Sequence, residues 1–172
     1  MRSLYILVVI ALVAVQGFGQ SPSQTNLLGK WNVEKIVITP EMFFDLSNID
    51  STHINFIKQQ KKRNYNNSWT SKDSAAVEKQ YEKAINGIRQ MFVEFKADGS
   101  YLTNGVNRGE DKIEGVESGT YTINDGEITL KEDKKPTNVN ELKIILLNNT
   151  TLIVADKSKG SPITSITFKK LK

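Results

Sequence analysis

The stretch that decides the fold is GTYTINDGEITLK, residues 119–131. Apolar and polar side chains alternate on both sides of its central NDG segment, and this alternation is typical of β-strands with one buried face. Asn, Asp and Gly readily adopt the positive φ angles of tight hairpin turns. The stretch is therefore predicted to form two antiparallel strands, residues 119–123 and 127–131, joined by a short turn.

The same alternation recurs through the second half of the chain and once near its start. Strands are predicted at residues 30–38, 91–96, 100–106, 119–123, 127–131, 139–147, 150–155 and 163–170, with a weaker one at 112–114. Most are separated by hairpin-length turns, and sequential antiparallel strands tend to close because closure removes unpaired edges. We therefore predict a mainly β protein, an antiparallel up-and-down barrel of eight or nine strands.

Residues 40–90 interrupt the barrel pattern with helical periodicity. They are predicted to form a helical insertion between the first and second strands. A threonine and a proline at its start suit a helix N-terminus, which predicts a short helix up to Asp45 or Leu46. Further helices are predicted over residues 51–63 and 73–90, where apolar residues recur at spacings of three and four.

The N-terminus has the pattern of a signal peptide. Arg2 precedes an apolar run at residues 4–15, which is shorter than the roughly 20 residues that cross a bilayer but suits a signal peptide. Gly19 stands two residues after another small residue, as cleavage requires. Residues 1–19 are therefore predicted to be removed, and residues 20–172 to form one exported domain, secreted or periplasmic.

The composition excludes several function classes. The chain has 172 residues, no cysteine and one histidine, so disulfides, thiol catalysis, cysteine-ligated metals and multi-histidine metal sites within one chain are ruled out. A net charge of +4 is too small to indicate a nucleic acid or an anionic membrane as partner. We expect no metal, no other cofactor, no nucleic-acid partner and no stable membrane anchor.

The two ends of the predicted barrel carry a further pattern. The first strand opens with LGKW, in which Gly29 and Trp31 form a Gly-x-Trp motif, and the last strand ends in FKK, with Lys169 and Lys170. Together with FKADGSY at residues 95–101 and the hairpin quoted above, this order resembles the lipocalin-like (calycin superfamily) proteins of the secreted Bacteroidetes type. The resemblance implies that Trp31 seals one end of the barrel, with Lys169 or Lys170 over its indole ring.

If the barrel closes, alternate strand residues point inward. An interior of about eight strands either holds one small ligand or is filled by side chains, and the sequence leaves both alternatives open. The residues expected to line a site for a small hydrophobic molecule are Val33, Phe95, Tyr101, Tyr121, Ile123, Leu130, Leu142, Ile144 and Phe168.

No pattern in the sequence indicates catalysis. His53 is the only imidazole, and neither a nucleophile nor an orienting carboxylate can be assigned to it, so we expect a non-enzymatic protein with an exposed or capping histidine. The basic run KQQKKR at residues 58–63, with Tyr65 and Trp69 nearby, supports an alternative function. In that interpretation the barrel is filled, and the helical insert binds a protein or polysaccharide of the cell envelope.

Overall fold

The computed structural model of the protein describes residues 24–64, 69–104, 115–135, 137, 139–157 and 164–172. The predicted signal peptide at residues 1–19, the weak strand at 112–114 and the side chain of Tyr65 lie outside the described residues.

Within that part of the chain, nine strands form one antiparallel sheet. They are β1 (Gly29–Thr39), β2 (Met42–Asp45), β3 (Phe92–Phe95), β4 (Ser100–Asn104), β5 (Glu117–Asn124), β6 (Glu127–Glu132), β7 (Val139–Leu147), β8 (Thr151–Asp156) and β9 (Ser165–Lys170). β1 pairs with β3 on one edge and with β9 on the other, which closes eight strands into a barrel. β2 extends the sheet beside the second half of β1. The predicted antiparallel barrel is confirmed.

The two ends of the barrel differ in how they are built. At one end, which we call the closed end, lie the start of β1, the end of β9 and the tight turns at residues 96–99, 125–126 and 148–150. Asp125 and Gly126 have φ angles of 50° and 79°, as the NDG segment predicted. At the opposite end, the open end, β4 and β6 finish and β5 and β7 begin.

Three helices accompany the described strands: α1 (Gln24–Leu27), α2 (Ile49–Asn64) and α3 (Ser71–Gln90). A reciprocal pair of hydrogen bonds starts α3. The Thr70 hydroxyl accepts from the Asp73 backbone N–H, and the Asp73 carboxylate accepts from the Thr70 N–H. The apolar stripe of α3 is buried, as its spacing predicts; its members are Val77, Tyr81, Ile85 and Ile88.

The helices α2 and α3 pack on the face of β1 and β2 that continues the barrel interior. Phe44 on β2 pairs with Ile36 on β1, which in turn pairs with Ile166 on β9. The ring of Phe44 lies 5.8 Å from that of Phe56 in α2, and Phe56 lies 5.6 Å from Tyr81 in α3. The helical pair therefore covers an apolar surface beside the open end.

The position of the insert corrects one expectation from sequence. Residues 42–45, predicted to be helical within the 40–90 insertion, form β2, so the helices lie between the second and third strands rather than the first and second. Pro40 sits in a two-residue turn that pairs Thr39 with Met42. Proline suits such a turn as well as it suits the first position of a helix, and pairing with β1 decides between them.

A bulge in β1 changes which side chains of its second half face the barrel interior. Strict alternation places Lys35 on the side of Trp31, but the register with β9 shifts between Val33 and Lys35. Ile36 consequently faces inward, whereas Lys35 points outward and binds the Asp45 carboxylate at 3.0 Å. One extra residue exchanges the inward-facing and outward-facing positions of the rest of the strand. The local sequence contains no signal for this bulge.

Candidate functional site

The barrel contains an internal cavity of about 200 Å³. Most of its wall is apolar, from Val33, Met91, Phe92, Val93, Phe95, Tyr101, Ile128, Leu130, Leu142, Leu152, Val154, Ile166 and Phe168. These side chains come from seven of the barrel strands and from the residue before β3, so barrel closure itself creates the space. The interior is therefore not completely filled by side chains.

Six of the nine residues predicted to face a ligand line this cavity: Val33, Phe95, Tyr101, Leu130, Leu142 and Phe168. The other three lie elsewhere in the core. Tyr121 packs edge-on against Phe95 at 4.9 Å and donates its hydroxyl to the Lys96 carbonyl at 2.8 Å, near the closed end. Ile123 and Ile144 are half-buried against the core without reaching the cavity.

Polar side chains line the cavity towards the open end. We call Thr103, Glu117, Glu132 and Asn140 the polar layer. Thr103 pairs directly with Glu117, and each member stands two residues from an inward-facing neighbour on its own strand. A pattern of alternating apolar positions does not include these residues, because their side chains are polar. Continuing the alternation by two residues on β4, β6 and β7, and by four residues on β5, identifies all four.

The polar layer and the neighbouring Asn104 contribute several hydrogen-bond acceptors to the cavity wall. The Thr103 hydroxyl donates to the Phe92 carbonyl at 2.7 Å, so its lone pairs remain available to the cavity. The buried side-chain oxygen of Asn104 has no hydrogen-bond partner among the described residues. Glu117 and Glu132 contribute carboxyl groups, and an ionised carboxylate accepts hydrogen bonds but donates none.

Tyr101 joins the apolar and polar parts of the cavity. Its side chain is 2% exposed, and among the described residues no partner binds its hydroxyl group. Burial, followed by the negative charges of Glu132, Glu117 and Asp133, raises the pKa of Tyr101 to about 12. The phenol is therefore protonated at neutral pH.

A second, outer pocket of about 360 Å³ adjoins the polar layer. It is lined by Gly115, Glu117, Ser118, Glu132, Lys134 and Lys135. Glu117 and Glu132 belong to the walls of both spaces. The two carboxylates therefore stand between the barrel interior and the surface.

Trp31 seals the closed end. Its side chain is fully buried, and its indole N–H donates to the Leu27 carbonyl of α1 at 2.7 Å. The ammonium nitrogen of Lys170 lies 4.9 Å from the centre of the ring and donates to the Asn26 carbonyl at 3.0 Å. The side chains of Trp31 and Lys170 therefore both hydrogen-bond to α1 and hold it across the base of the barrel.

The other two signature residues have distinct positions. Gly29 has a φ of +110°, and a Cβ there would lie 3.1 Å from Cε of Lys170, so glycine permits both the backbone conformation and the close lysine stem. Lys169 points away from the indole, 3.8 Å from the Glu34 carboxylate and 3.3 Å from the Thr151 hydroxyl. Of the two lysines proposed from sequence, Lys170 lies over Trp31.

The described strands form an eight-stranded up-and-down barrel that a Gly-x-Trp motif closes at its base, with a lysine of the last strand over the indole. The fold is lipocalin-like. No protein-family model matches the chain, and no curated protein matches it at a significant level.

Three solved structures that are similar to this chain come from Bacteroides. A lipocalin-like protein from Bacteroides uniformis is 12% identical, with 85% of this chain and 99% of that chain covered and a TM-score of 0.47. An uncharacterized protein from Bacteroides eggerthii is 13% identical, with coverages of 84% and 99% and a TM-score of 0.46. A DUF4847 family protein from Bacteroides vulgatus is 16% identical, with coverages of 85% and 96% and a TM-score of 0.45.

His53 connects the two long helices of the lipocalin-like chain. Its Nε2 lies 2.7 Å from the Glu78 carboxylate, and its ring lies 4.7 Å from the Tyr81 ring. None of the described residues offers it a hydroxyl nucleophile in hydrogen-bond contact. Across the same residues, no three of His, Asp or Glu cluster as metal ligands, and no described helix has the length and apolarity to span a membrane.

The basic run lies at the exposed C-terminal end of α2. Lys61 places its ammonium nitrogen 5.0 Å from the centre of the Trp69 ring, and Lys62 lies 3.4 Å from the Glu41 carboxylate. Lys58 and Lys61 border a shallow groove shared with Ile54, which is 69% exposed. Arg63 donates to the Met42 sulfur at 4.0 Å, so three of the four basic side chains already have partners within the chain.

Proposed function

We propose that this chain is a non-enzymatic binding protein that holds a small hydrophobic molecule inside its barrel. The main support for this proposal is the cavity of about 200 Å³ inside the barrel, whose wall is mostly apolar. An apolar protein cavity of about 150 Å³ binds benzene, so the space suits one aromatic ring with a short substituent. A long acyl chain would exceed it.

The open end is the proposed route for the ligand. Trp31, fully buried beneath α1, blocks the opposite end. Met91, which follows α3 directly, lines the cavity, so a shift of the helical pair would move part of the wall. We therefore propose that α2 and α3 gate access to the barrel.

Ethylbenzene is a probe of suitable size. Titration into the protein, followed by calorimetry and by the NMR shifts of cavity methyl groups, is expected to show saturable binding with one molecule per chain. Leu142→Phe fills the cavity from its wall and should weaken binding at least tenfold. Ile145→Phe, three residues along on the exposed face, is the matched control. Absence of saturable binding to the wild type would reject the proposal.

Export is proposed from the N-terminal pattern alone. The short apolar run and the small residues before Gln20 support removal of residues 1–19. Mass spectrometry of the protein recovered from the periplasm or medium of a bacterial host is expected to give a chain starting at Gln20. Retention of the full-length chain in the cytoplasm would contradict export.

A second candidate function is binding of a protein or polysaccharide of the cell envelope through α2. The exposed groove beside Lys58 and Lys61, with the exposed Ile54, favours it. Reversing Lys58 and Lys61 to Glu should abolish such binding without changing ethylbenzene affinity. Unchanged capture of a partner would reject this surface.

A further inference from the structure

The hydroxyl of Tyr101 carries information about the ligand, and this inference rests on the proposed function. We propose that Tyr101 donates a hydrogen bond to an uncharged carbonyl oxygen of the molecule in the barrel. The ligand is then a small ketone or aldehyde, whose apolar body fills the cavity and whose oxygen lies at the phenol. The apolar wall alone would accept a plain hydrocarbon as readily.

Tyr101 is a buried hydrogen-bond donor without an acceptor. Its side chain is 2% exposed and lines the cavity, and no described residue accepts its hydrogen. The other two buried tyrosines in the described part of the chain both have acceptors: Tyr81 donates to the Ile49 carbonyl at 3.2 Å and Tyr121 to the Lys96 carbonyl at 2.8 Å. Protein interiors rarely leave a buried donor unpaired, because its lost bond to water is then not replaced. The hydrogen of Tyr101 is therefore available to an occupant of the cavity.

The ring of Tyr101 is held across the inner face of β5. A Cβ on Gly119 would lie 2.6 Å from Cε1 and 2.9 Å from Cζ of Tyr101, so the end of the ring that carries the hydroxyl lies directly against this glycine. Gly119 pairs with Tyr101 on one side and with Glu132 on the other. The phenol therefore extends along the inside of the barrel towards Glu132, which places its oxygen where the apolar wall meets the polar layer.

The charges around this hydroxyl indicate an uncharged acceptor. Burial, followed by the negative charges of Glu132, Glu117 and Asp133, raises the pKa of Tyr101 to about 12, so the phenol keeps its proton at neutral pH. No hydrogen bond joins it to any of these three described carboxyl groups. An anionic ligand at the phenol would be repelled by the same charges. A carbonyl group suits the position, because it has two lone pairs and no hydrogen that would need a partner.

Acetophenone and ethylbenzene test the inference, because they share one ring and one chain length and differ by the carbonyl oxygen. Each is titrated by calorimetry into the wild type and into Tyr101→Phe at pH 7. The ratio of the two affinities should shift towards ethylbenzene by at least tenfold in Tyr101→Phe. Comparing ratios between the two proteins cancels the different hydration of the two probes. Tyr121→Phe is the matched control, since its hydroxyl already donates to a backbone carbonyl, and should leave the ratio unchanged.

Infrared spectroscopy of acetophenone with an isotopically labelled carbonyl detects the hydrogen bond itself. The carbonyl stretch of the bound probe is expected at a lower frequency in the wild type than in Tyr101→Phe, since an accepted hydrogen bond weakens the C=O bond. An unchanged affinity ratio or an unchanged stretch overturns the inference, and ethylbenzene binding then still supports the proposed function. Failure of both probes to bind the wild type rejects the inference and the proposed function together.

Discussion

The ammonium nitrogen of Lys170 lies 4.9 Å from the centre of the Trp31 ring and donates a hydrogen bond to the carbonyl of Asn26 at 3.0 Å. One side chain of the last strand therefore contacts both the indole that seals the barrel and the short helix beneath it. Barrel closure between β1 and β9 brings these groups together although they are far apart in sequence. Lys170 therefore connects the pairing of β1 with β9, which closes the barrel, to Trp31 and α1, which close its base.

Replacing Lys170 with Met keeps most of the stem and removes the charge. We expect the free energy of unfolding to fall by about 1–2 kcal/mol, because a cation–π contact and a charged hydrogen bond are lost together. Urea unfolding followed by tryptophan fluorescence measures this. Lys169→Met is the control, since Lys169 lies on the exposed surface, and should cost less than about 0.5 kcal/mol. Equal losses in the two variants would contradict a special role for Lys170.

Gly119 is required by the packing of β5. A Cβ at this position would lie 2.1 Å from the Lys131 carbonyl oxygen and 2.6 Å from a ring carbon of Tyr101. Gly119→Ala must therefore push β5 away from β6, and we expect a loss of about 2–3 kcal/mol in the free energy of unfolding. Thermal and urea unfolding provide the measurement.

Two further variants identify the cause at Gly119. Gly115→Ala meets no atom within 4 Å and should be close to neutral. Adding Tyr101→Ala to Gly119→Ala should not restore stability, because the shorter contact is with backbone. Recovery in the double variant would show that the tyrosine ring, rather than the neighbouring strand, excludes the side chain.

The barrel was predictable because its signals are short-range and repeated. Alternation on both sides of the NDG segment specifies a hairpin without reference to the rest of the chain, and Gly29 with Trp31 marks the first strand. The bulge after Val33 and the strand at Met42–Asp45 were not predictable in this way. Both depend on a partner strand that the local sequence does not reveal.

The candidate site was predictable only in its apolar half. Inward alternation identifies Leu130 and Leu142, but it cannot separate cavity wall from packed core, so the predicted set also contains Ile144, which packs against the core outside the cavity. From the sequence alone, Glu117 and Glu132 are each expected to be solvent-exposed residues at the ends of strands. They become candidates only when the closed barrel places the ends of four strands around one opening.

The lowered pKa of Asp45 predicts that the protein loses stability in acid. Burial raises the pKa of Asp45, but hydrogen bonds from Ser47 and Lys35 outweigh it and hold the pKa below its ordinary value. A carboxyl group with a lowered pKa stabilises the fold above its unfolded pKa of about 4, and the contribution disappears as the pH falls through the folded pKa. Asp45→Asn should therefore cost about 0.5–1 kcal/mol at pH 7 and progressively less below pH 4. A pH-independent cost would contradict the ionic origin of the effect.

The raised pKa of Tyr101 predicts that the protein also loses stability in alkali. Its pKa of about 12 exceeds the unfolded value of about 10, because burial and then the charges of Glu132, Glu117 and Asp133 disfavour the phenolate. A group whose pKa is raised by folding stabilises the protein fully below its unfolded pKa, and this stabilisation is lost as the pH rises towards its folded pKa. The wild type should lose up to about 1.4 kcal/mol per pH unit from this residue between pH 10 and 12.

Tyr101→Phe isolates that contribution from the other groups that titrate in alkali. At pH 7 the variant should be about as stable as the wild type, since the hydroxyl has no hydrogen-bond partner among the described residues. Above pH 10 it should become the more stable protein, and absorbance at 295 nm should lose the tyrosine that ionises last. If the two proteins lose stability in parallel up to pH 12, the Tyr101 hydroxyl reaches water and the polar layer is open to solvent.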